Sequence, residues 1–175
     1  FVHGGRYYVA DKGNNRVQVF ASDGLFLEEI KDRKDGDRRF IKVGPIAVDS
    51  EENLYIADGS ALGQIHVLDK ERNKIATIGS KEDTSLKVTR FYAIDIDQQD
   101  RLYVLARSDF NKFGVRVYRD FKPYKTFAAA GKNGTRVYFG KATSLSVLSG
   151  SSNSVYVNDV SRKKTFRFDL LEYPD

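Results

Sequence analysis

Cysteine and methionine are both absent from this chain, and only two histidines occur in its 175 residues. Without cysteine there is no disulfide framework, no thiolate metal site and no cysteine nucleophile. That absence suits a reducing or an oxidising compartment alike, so it leaves the localisation unassigned. Without methionine the chain lacks even an initiator, and it reads as a processed product, a cut domain or a partly recorded sequence. No apolar run approaches the roughly 18 residues that span a bilayer. No secretory h-region opens the sequence. Membrane insertion is therefore not expected, and no stretch carries helical periodicity of useful length.

The composition that remains, 41% hydrophobic and 30% charged, is that of a globular chain. Its length suits one domain with a sizeable core. A net charge of +5 permits an anionic partner without requiring one.

Self-similarity organises the sequence. Tyr8 to Asp11 (YVAD) recurs as Tyr55 to Asp58 (YIAD), Tyr103 to Ala106 (YVLA) and Tyr156 to Asp159 (YVND). Each copy is followed by a polar loop and a second alternating run: Val17 to Phe20, Ile65 to Leu68, Val115 to Tyr118 and Phe166 to Asp169. A short apolar stretch precedes three of the tyrosines (Ile46 to Asp49, Ala93 to Ile96, Thr143 to Val147). A weaker one follows three of the second runs (Phe26 to Ile30, Ile75 to Ile78, Tyr124 to Phe127). Alternation rich in Val, Ile, Tyr and Phe, broken by turns every few residues, predicts β-strands. Each repeat is then a four-stranded antiparallel meander of the size of a propeller blade. The expected fold class is all-β, one segment over residues 1–175 with blades at roughly 1–30, 43–79, 91–128 and 142–170.

The phrase "VADKGNNRVQVF", with "IAVDSEENLYIAD" in the next repeat and "DGLFLEEI" after the first, resembles the NHL repeat. The resemblance implies a propeller, generally six-bladed, of which about four partial blades are present. The first blade has only a remnant first strand and the fourth has no clear fourth strand. Completion by further blades of the same or another chain is therefore expected.

Asp11, Asp58 and Asp159 recur where the second strand turns into the third, and are read as turn braces that accept backbone N–H groups of the following turn. The repeated tyrosines are read as packing residues. Asp95, Asp97 and Asp100 tempt a calcium reading, but they lack the EF-hand glycine and terminal glutamate. Asp97 instead aligns with Asp49 as a turn acid. His66 aligns with Gln18, Arg116 and Arg167, the polar positions of the third strands, and neither histidine has zinc-site spacing. No cofactor, metal or catalytic residue is assigned.

In a propeller the second-to-third and fourth-to-first connections share one face. Sorted by that rule, this face carries 19 basic residues against nine acids. The candidate binding residues on it are Lys12, Arg16, Arg33, Lys34, Arg38, Arg39, Arg107, Phe110, Phe113, Arg162, Lys163 and Lys164. Phe110 and Phe113 are expected as exposed aromatics beside the charges. The expected function is a non-enzymatic scaffold that binds a protein partner through this basic face. RNA binding on the same face is the first alternative, since some propellers of the resembling family bind single-stranded RNA. A lyase or hydrolase with a metal in the central channel is the second.

Overall fold

Each alternating run becomes part of a strand in the structure, a computed structural model that describes residues 1–31, 40–59, 63–79, 88, 90–107, 113–127, 129–130, 136–137, 139–148 and 153–170. Seventeen strands form, and no helix appears among the described residues. The chain divides into two compact units, Phe1–Phe91 and Tyr92–Asp175.

In the first unit, β1 (Val2–His3), β2 (Arg6–Asp11), β3 (Arg16–Ala21) and β4 (Phe26–Ile30) make one antiparallel meander. A second is made by β5 (Val43–Val48), β6 (Leu54–Asp58), β7 (Gln64–Leu68) and β8 (Lys74–Ile78). The third meander comprises β9 (Arg90–Ile96), β10 (Leu102–Arg107), β11 (Phe113–Arg119) and β12 (Lys122–Phe127). A two-stranded pair, β13 (Ala129–Ala130) with β14 (Arg136–Val137), follows β12 in sequence. The last sheet is β15 (Ala142–Leu148), β16 (Asn153–Asp159) and β17 (Lys164–Leu170). The two-residue β1 and this three-stranded last sheet match the short first and last repeats expected from sequence.

One turn recurs between strands and fixes their register. At Asp49, Asp69 and Asp97 the residue three places on has positive φ (Glu52 65°, Arg72 70°, Asp100 55°). The N–H of that residue returns to the acid's carbonyl, as in a type I turn closed by a left-handed residue. The carboxylate then accepts the N–H groups two and four residues ahead: Glu51 and Asn53 on Asp49, Gln99 and Arg101 on Asp97. Between β3 and β4 the same turn has Ala21 in the acid's place and Gly24 at the left-handed position, φ 89°.

Cores form between successive sheets. In the first unit Tyr8, Val17, Val19 and Ile30 pack with Val43, Ile46, Val48, Leu54, Ile56 and Leu68. In the second, Tyr103, Leu105, Val115 and Val117 pack with Leu145, Val155 and Val157. Burying each such side chain contributes up to about 1.5–3 kcal/mol. An ion pair also ties the first two sheets, with Arg72 of the β7–β8 turn 2.5 Å from Glu28 of β4. Burial works against the charge of Arg72, but the Glu28 carboxylate and the Tyr8 hydroxyl hold the guanidinium protonated above its ordinary value.

The fourth repeat departs from the sequence alignment by one residue. Tyr8 faces Val19, Tyr55 faces Val67 and Tyr103 faces Val117, but Tyr156 faces Arg167. Arg167 thus stands where the other sheets hold valine, and Phe166 stands with Gln18, His66 and Arg116. The cause is loop length: Asp11 pairs Arg16 and Asp159 pairs Lys164 across equal hairpins. Both hairpins close on a left-handed residue, Asn15 (φ 51°) or Lys163 (φ 51°). Matching Phe166 to Val17 by pattern would need one residue more. Because strand faces alternate, the one-residue difference exchanges them. Phe166 and Phe168 pack edge-on against Phe139, at 5.5 and 5.8 Å, while Thr165, Arg167 and Asp169 are exposed.

Candidate functional site

The acids that end the second strands do more than brace the following turn. Asp58 accepts the N–H groups of Ile41 and Lys42 at 3.1 and 3.0 Å, from the segment leading into β5. The next N–H, of Gly59, returns to the carbonyl of Lys42 at 2.9 Å. Asp159 repeats the device with Gly140 and Lys141 at 2.6 and 3.1 Å, and Val160 returns to the carbonyl of Lys141 at 3.0 Å. Asp159 also accepts from the Ser161 hydroxyl and the Arg162 N–H, as turn bracing requires. The carboxylate therefore clasps the lead-in of its own sheet's first strand, a long-range role that the sequence did not disclose. Burial opposes the charge of Asp159, but the hydrogen bonds from Ser161, Lys141, Gly140 and Arg162 hold its carboxyl below the usual range. Asp11 is braced locally. The Asn14 amide and the Arg16 guanidinium, at 2.8 and 2.7 Å, keep it below the usual carboxylate range.

These clasps bring the second-to-third hairpins and the lead-ins of the first strands to the same side of each unit. In the first unit that side holds a pocket of about 190 Å³. Lys12 comes from the β2–β3 hairpin, Lys42, Val43 and Gly44 from the start of β5, Gly59 from the end of β6, and Arg90 and Phe91 from the start of β9. Among the described residues no carboxylate lines it. Two glycines shape it: a Cβ on Gly44 would lie 2.9 Å from the Ala57 carbonyl oxygen, and one on Gly59 3.3 Å from Cδ of Lys42. The stem of Lys42 thus lies along the Gly59 backbone, and its head is left exposed. Lys42 and Arg90 fall within the basic face counted from sequence, but nothing in the sequence singles them out. Their signal is position, since each stands at the start of a first strand. A second pocket, of about 270 Å³, is lined by Asn14, Asn15, Lys31 and Phe40.

The sequence-selected residues divide. Lys12 is exposed and lines the first pocket. Arg16 is occupied, bridging Asp11 and Glu29. In the second unit, Arg162 lies 3.6 Å from Asp159 with its side chain 43% exposed, and Lys163 and Lys164 are exposed beside it on one hairpin. Arg107 is half-buried at the end of β10. Phe113 corrects the expectation of an exposed aromatic. It is 6% exposed, packed 5.1 Å from Tyr92 in the core of its unit, because it opens β11 on the core-facing side. Arg33, Lys34, Arg38, Arg39 and Phe110 lie outside the described residues.

Several buried titratable groups among the described residues serve the fold's own hydrogen bonds. Asp49 and Asp97 are buried turn acids that also accept the hydroxyls of Tyr55 (3.1 Å) and Tyr103 (2.8 Å), so these tyrosines are hydrogen-bonded as well as packed. Burial, with the Asp97 hydrogen bond second, pushes the Tyr103 hydroxyl above its ordinary value. Asp95 accepts from the N–H of Val147 at 2.8 Å, joining β9 to β15, and burial raises its carboxyl despite that bond. His66, aligned with the polar positions of the other third strands, is enclosed. It is 1% exposed, with Nε2 3.7 Å from Oδ2 of Asp58 and its ring 6.0 Å from that of Phe40. Among the described residues, no three His, Cys, Asp or Glu side chains group as metal ligands.

Comparisons with known proteins agree with this architecture. The sequence profile of the NHL repeat matches residues 2–20. No curated protein matches the chain. Among solved structures, it is similar to a functionally unknown protein from Desulfotomaculum acetoxidans DSM 771, with TM-score 0.65 and 14% identity over 94% of this chain and 47% of that one. It is also similar to the RRP9 WD40 repeats, with TM-score 0.59 and 15% identity over the same shares, 94% and 47%. The chain thus spans about half the length of each, and likeness at such identity shows the fold alone. The chain is built of propeller-type antiparallel blades, and residues 2–20 of the first carry an NHL repeat.

Proposed function

We propose that the chain is a non-enzymatic interaction scaffold that binds a protein partner through the side of each unit that bears its second-to-third hairpins and first-strand lead-ins. One observation supports this over a merely solvated charged surface. The three acids on that side that fall among the described residues are engaged by the chain itself: Asp11 by Asn14 and Arg16, Asp58 and Asp159 by backbone N–H groups. Lys31 pairs with Glu29, but Lys12, Lys42, Lys163 and Lys164 have no side-chain partner among the described residues. Among the described residues, positive charge is therefore available where the negative charge is already used, which favours an anionic surface on the partner. The RNA alternative loses one of its supports with the burial of Phe113, since base stacking needs an exposed ring.

The test is capture with charge-reversed chains. A variant carrying Lys12→Glu, Lys42→Glu, Lys163→Glu and Lys164→Glu should fold, since all four side chains are exposed. It should also lose a specific protein that the unaltered chain retains after nuclease treatment. Retention by both chains, or loss on nuclease treatment alone, would overturn the proposal.

A further inference from the structure

We infer that the pocket formed by Lys12, Lys42, Val43, Gly44, Gly59, Arg90 and Phe91 is a seat for a single carboxylate-bearing side chain of an acidic peptide. The inference deepens the scaffold proposal and rests on its reading of this side as protein-binding. Three cationic side chains from three separate sheets meet at one cavity of about 190 Å³, and among the described residues no carboxylate lines it. Lys12 and Lys42 have no partner there, so a ligand anion need not displace an existing ion pair. The remaining lining is apolar or backbone: Val43 (1% exposed), Phe91 (8%) and the two glycines. An aliphatic stem ending in one negative charge matches that combination. The stem lies on Val43, Phe91 and the glycine backbone, and the carboxylate meets the ammonium groups.

A nucleic-acid backbone fits less well. It presents phosphates in series, whereas the pocket gathers its cations at one point and suits a single anionic group. Two of the three cations are lysines, which act as point charges, and Arg90 alone brings the bidentate fork by which arginine grips phosphate.

Amide proton–nitrogen spectra of the whole chain, titrated with a blocked pentaglutamate, test the inference. Shifts should concentrate on Val43, Gly44, Gly59 and Phe91. They should be absent with pentaglutamine, and the affinity should fall about tenfold or more in a Lys12→Gln, Lys42→Gln variant. Four outcomes would overturn it: no localised shifts, equal shifts with pentaglutamine, tighter binding by inorganic phosphate or a single-stranded oligouridylate, or affinity unchanged in the double variant.

The two proposals fail separately. If partner capture depends on Lys163 and Lys164 while the pocket ignores the peptide, the pocket inference falls and the scaffold stands. If the peptide seats but no partner is lost on charge reversal, the reverse holds.

Discussion

The second and third sheets differ from the first and fourth in how their polar groups are used. In β5–β8 and β9–β12 a buried acid at the first turn gathers two backbone N–H groups, a side chain four residues on and the repeat tyrosine. Asp49 holds Asn53 and Tyr55, and Asp97 holds Arg101 and Tyr103. The first and fourth sheets lack that knot. Tyr8 and Tyr156 have no aspartate six residues before them, only Val2 and Gly150. Each of these two sheets also shows one face to solvent, in opposite ways. The first exposes Tyr7, Val9 and Phe26. The fourth exposes a polar ladder bonded within itself, Asn158 to Ser144, Thr165 to Asn158 and Arg167 to Asp169, with Asp169 also accepting from the buried Ser154 hydroxyl. A repeat array needs apolar faces where units stack and polar faces where they stop. Turn chemistry and face polarity thus vary together along the chain.

The largest effects should come from breaking the middle sheets. Val67 holds the position that Arg167 holds in the last sheet, and it is fully buried. Val67→Arg would bury a charge without a partner and should cost about 3 kcal/mol or more, read as a lowered urea midpoint. Asp97→Ala should cost about 3–5 kcal/mol, because it removes the carboxylate paired with Arg101, whose side chain is fully buried. Asp49→Ala should cost less, about 1–3 kcal/mol, since the group it strands is the neutral Asn53 amide. Equal losses at the two positions would show that the ion pair adds nothing to the turn's hydrogen bonds.

Next in size is the clasp at Asp159, where pH gives a sign. The folded carboxyl sits below the usual range, so the folded state binds its proton less readily than the unfolded chain. Its contribution is complete above the unfolded value and disappears as pH falls through the lowered one. Asp95 works the other way. Burial raises its folded value, so its ionisation costs stability as pH rises from the ordinary carboxylate value to the raised one. Urea midpoints taken between about pH 2 and pH 6 should therefore fall less steeply toward acid in Asp159→Asn than in the unaltered chain. In Asp95→Asn, which keeps an acceptor for Val147, they should fall more steeply. At neutral pH, Asp159→Ala should cost about 1–3 kcal/mol through the N–H groups of Gly140 and Lys141 that it leaves unmatched.

Much of the blade was legible because strand alternation and turn residues are local. The YVAD-type runs, the Asp49 and Asp97 turns and the short first and last repeats could all be read along the chain. What escaped was whatever depends on a partner far along it. Asp58 reads as a local brace, yet its partners are 16 and 17 residues away. His66 aligns with the polar positions of the other third strands, but it is enclosed beside Asp58 and Phe40. Phe113 sits in a polar loop sequence, and only its pairing with Arg107 shows that it opens a strand. The candidate site was half legible. Charge sorting found the basic side, but the pocket depends on lead-ins 30 and 78 residues from Lys12, a spacing no motif encodes.

The smallest expected change is also the most direct test of the register at the fourth repeat. If Phe166 stood where Val17 stands, as the pattern of apolar residues suggests, Arg167 would hold the place of Gln18, His66 and Arg116. The observed pairing of Tyr156 with Arg167 sets it instead in the place of Val67, but on an exposed face. Arg167→Val makes this sheet like its predecessors at that position without filling or emptying any core. Folding stability should shift by no more than about 0.5 kcal/mol, since an exposed pair with Asp169 contributes little. The change would join an apolar side chain to Tyr156 and the exposed Leu148 on that face, so self-association should rise with concentration in sedimentation velocity. A loss of several kcal/mol would mean that Arg167 is held in a polar cluster of the kind the middle sheets bury. A neutral result beside a severe one for Val67→Arg would show that a third strand whose apolar pattern is displaced by one residue, across a hairpin of the same length as the first sheet's, leaves at this position a face that tolerates charge.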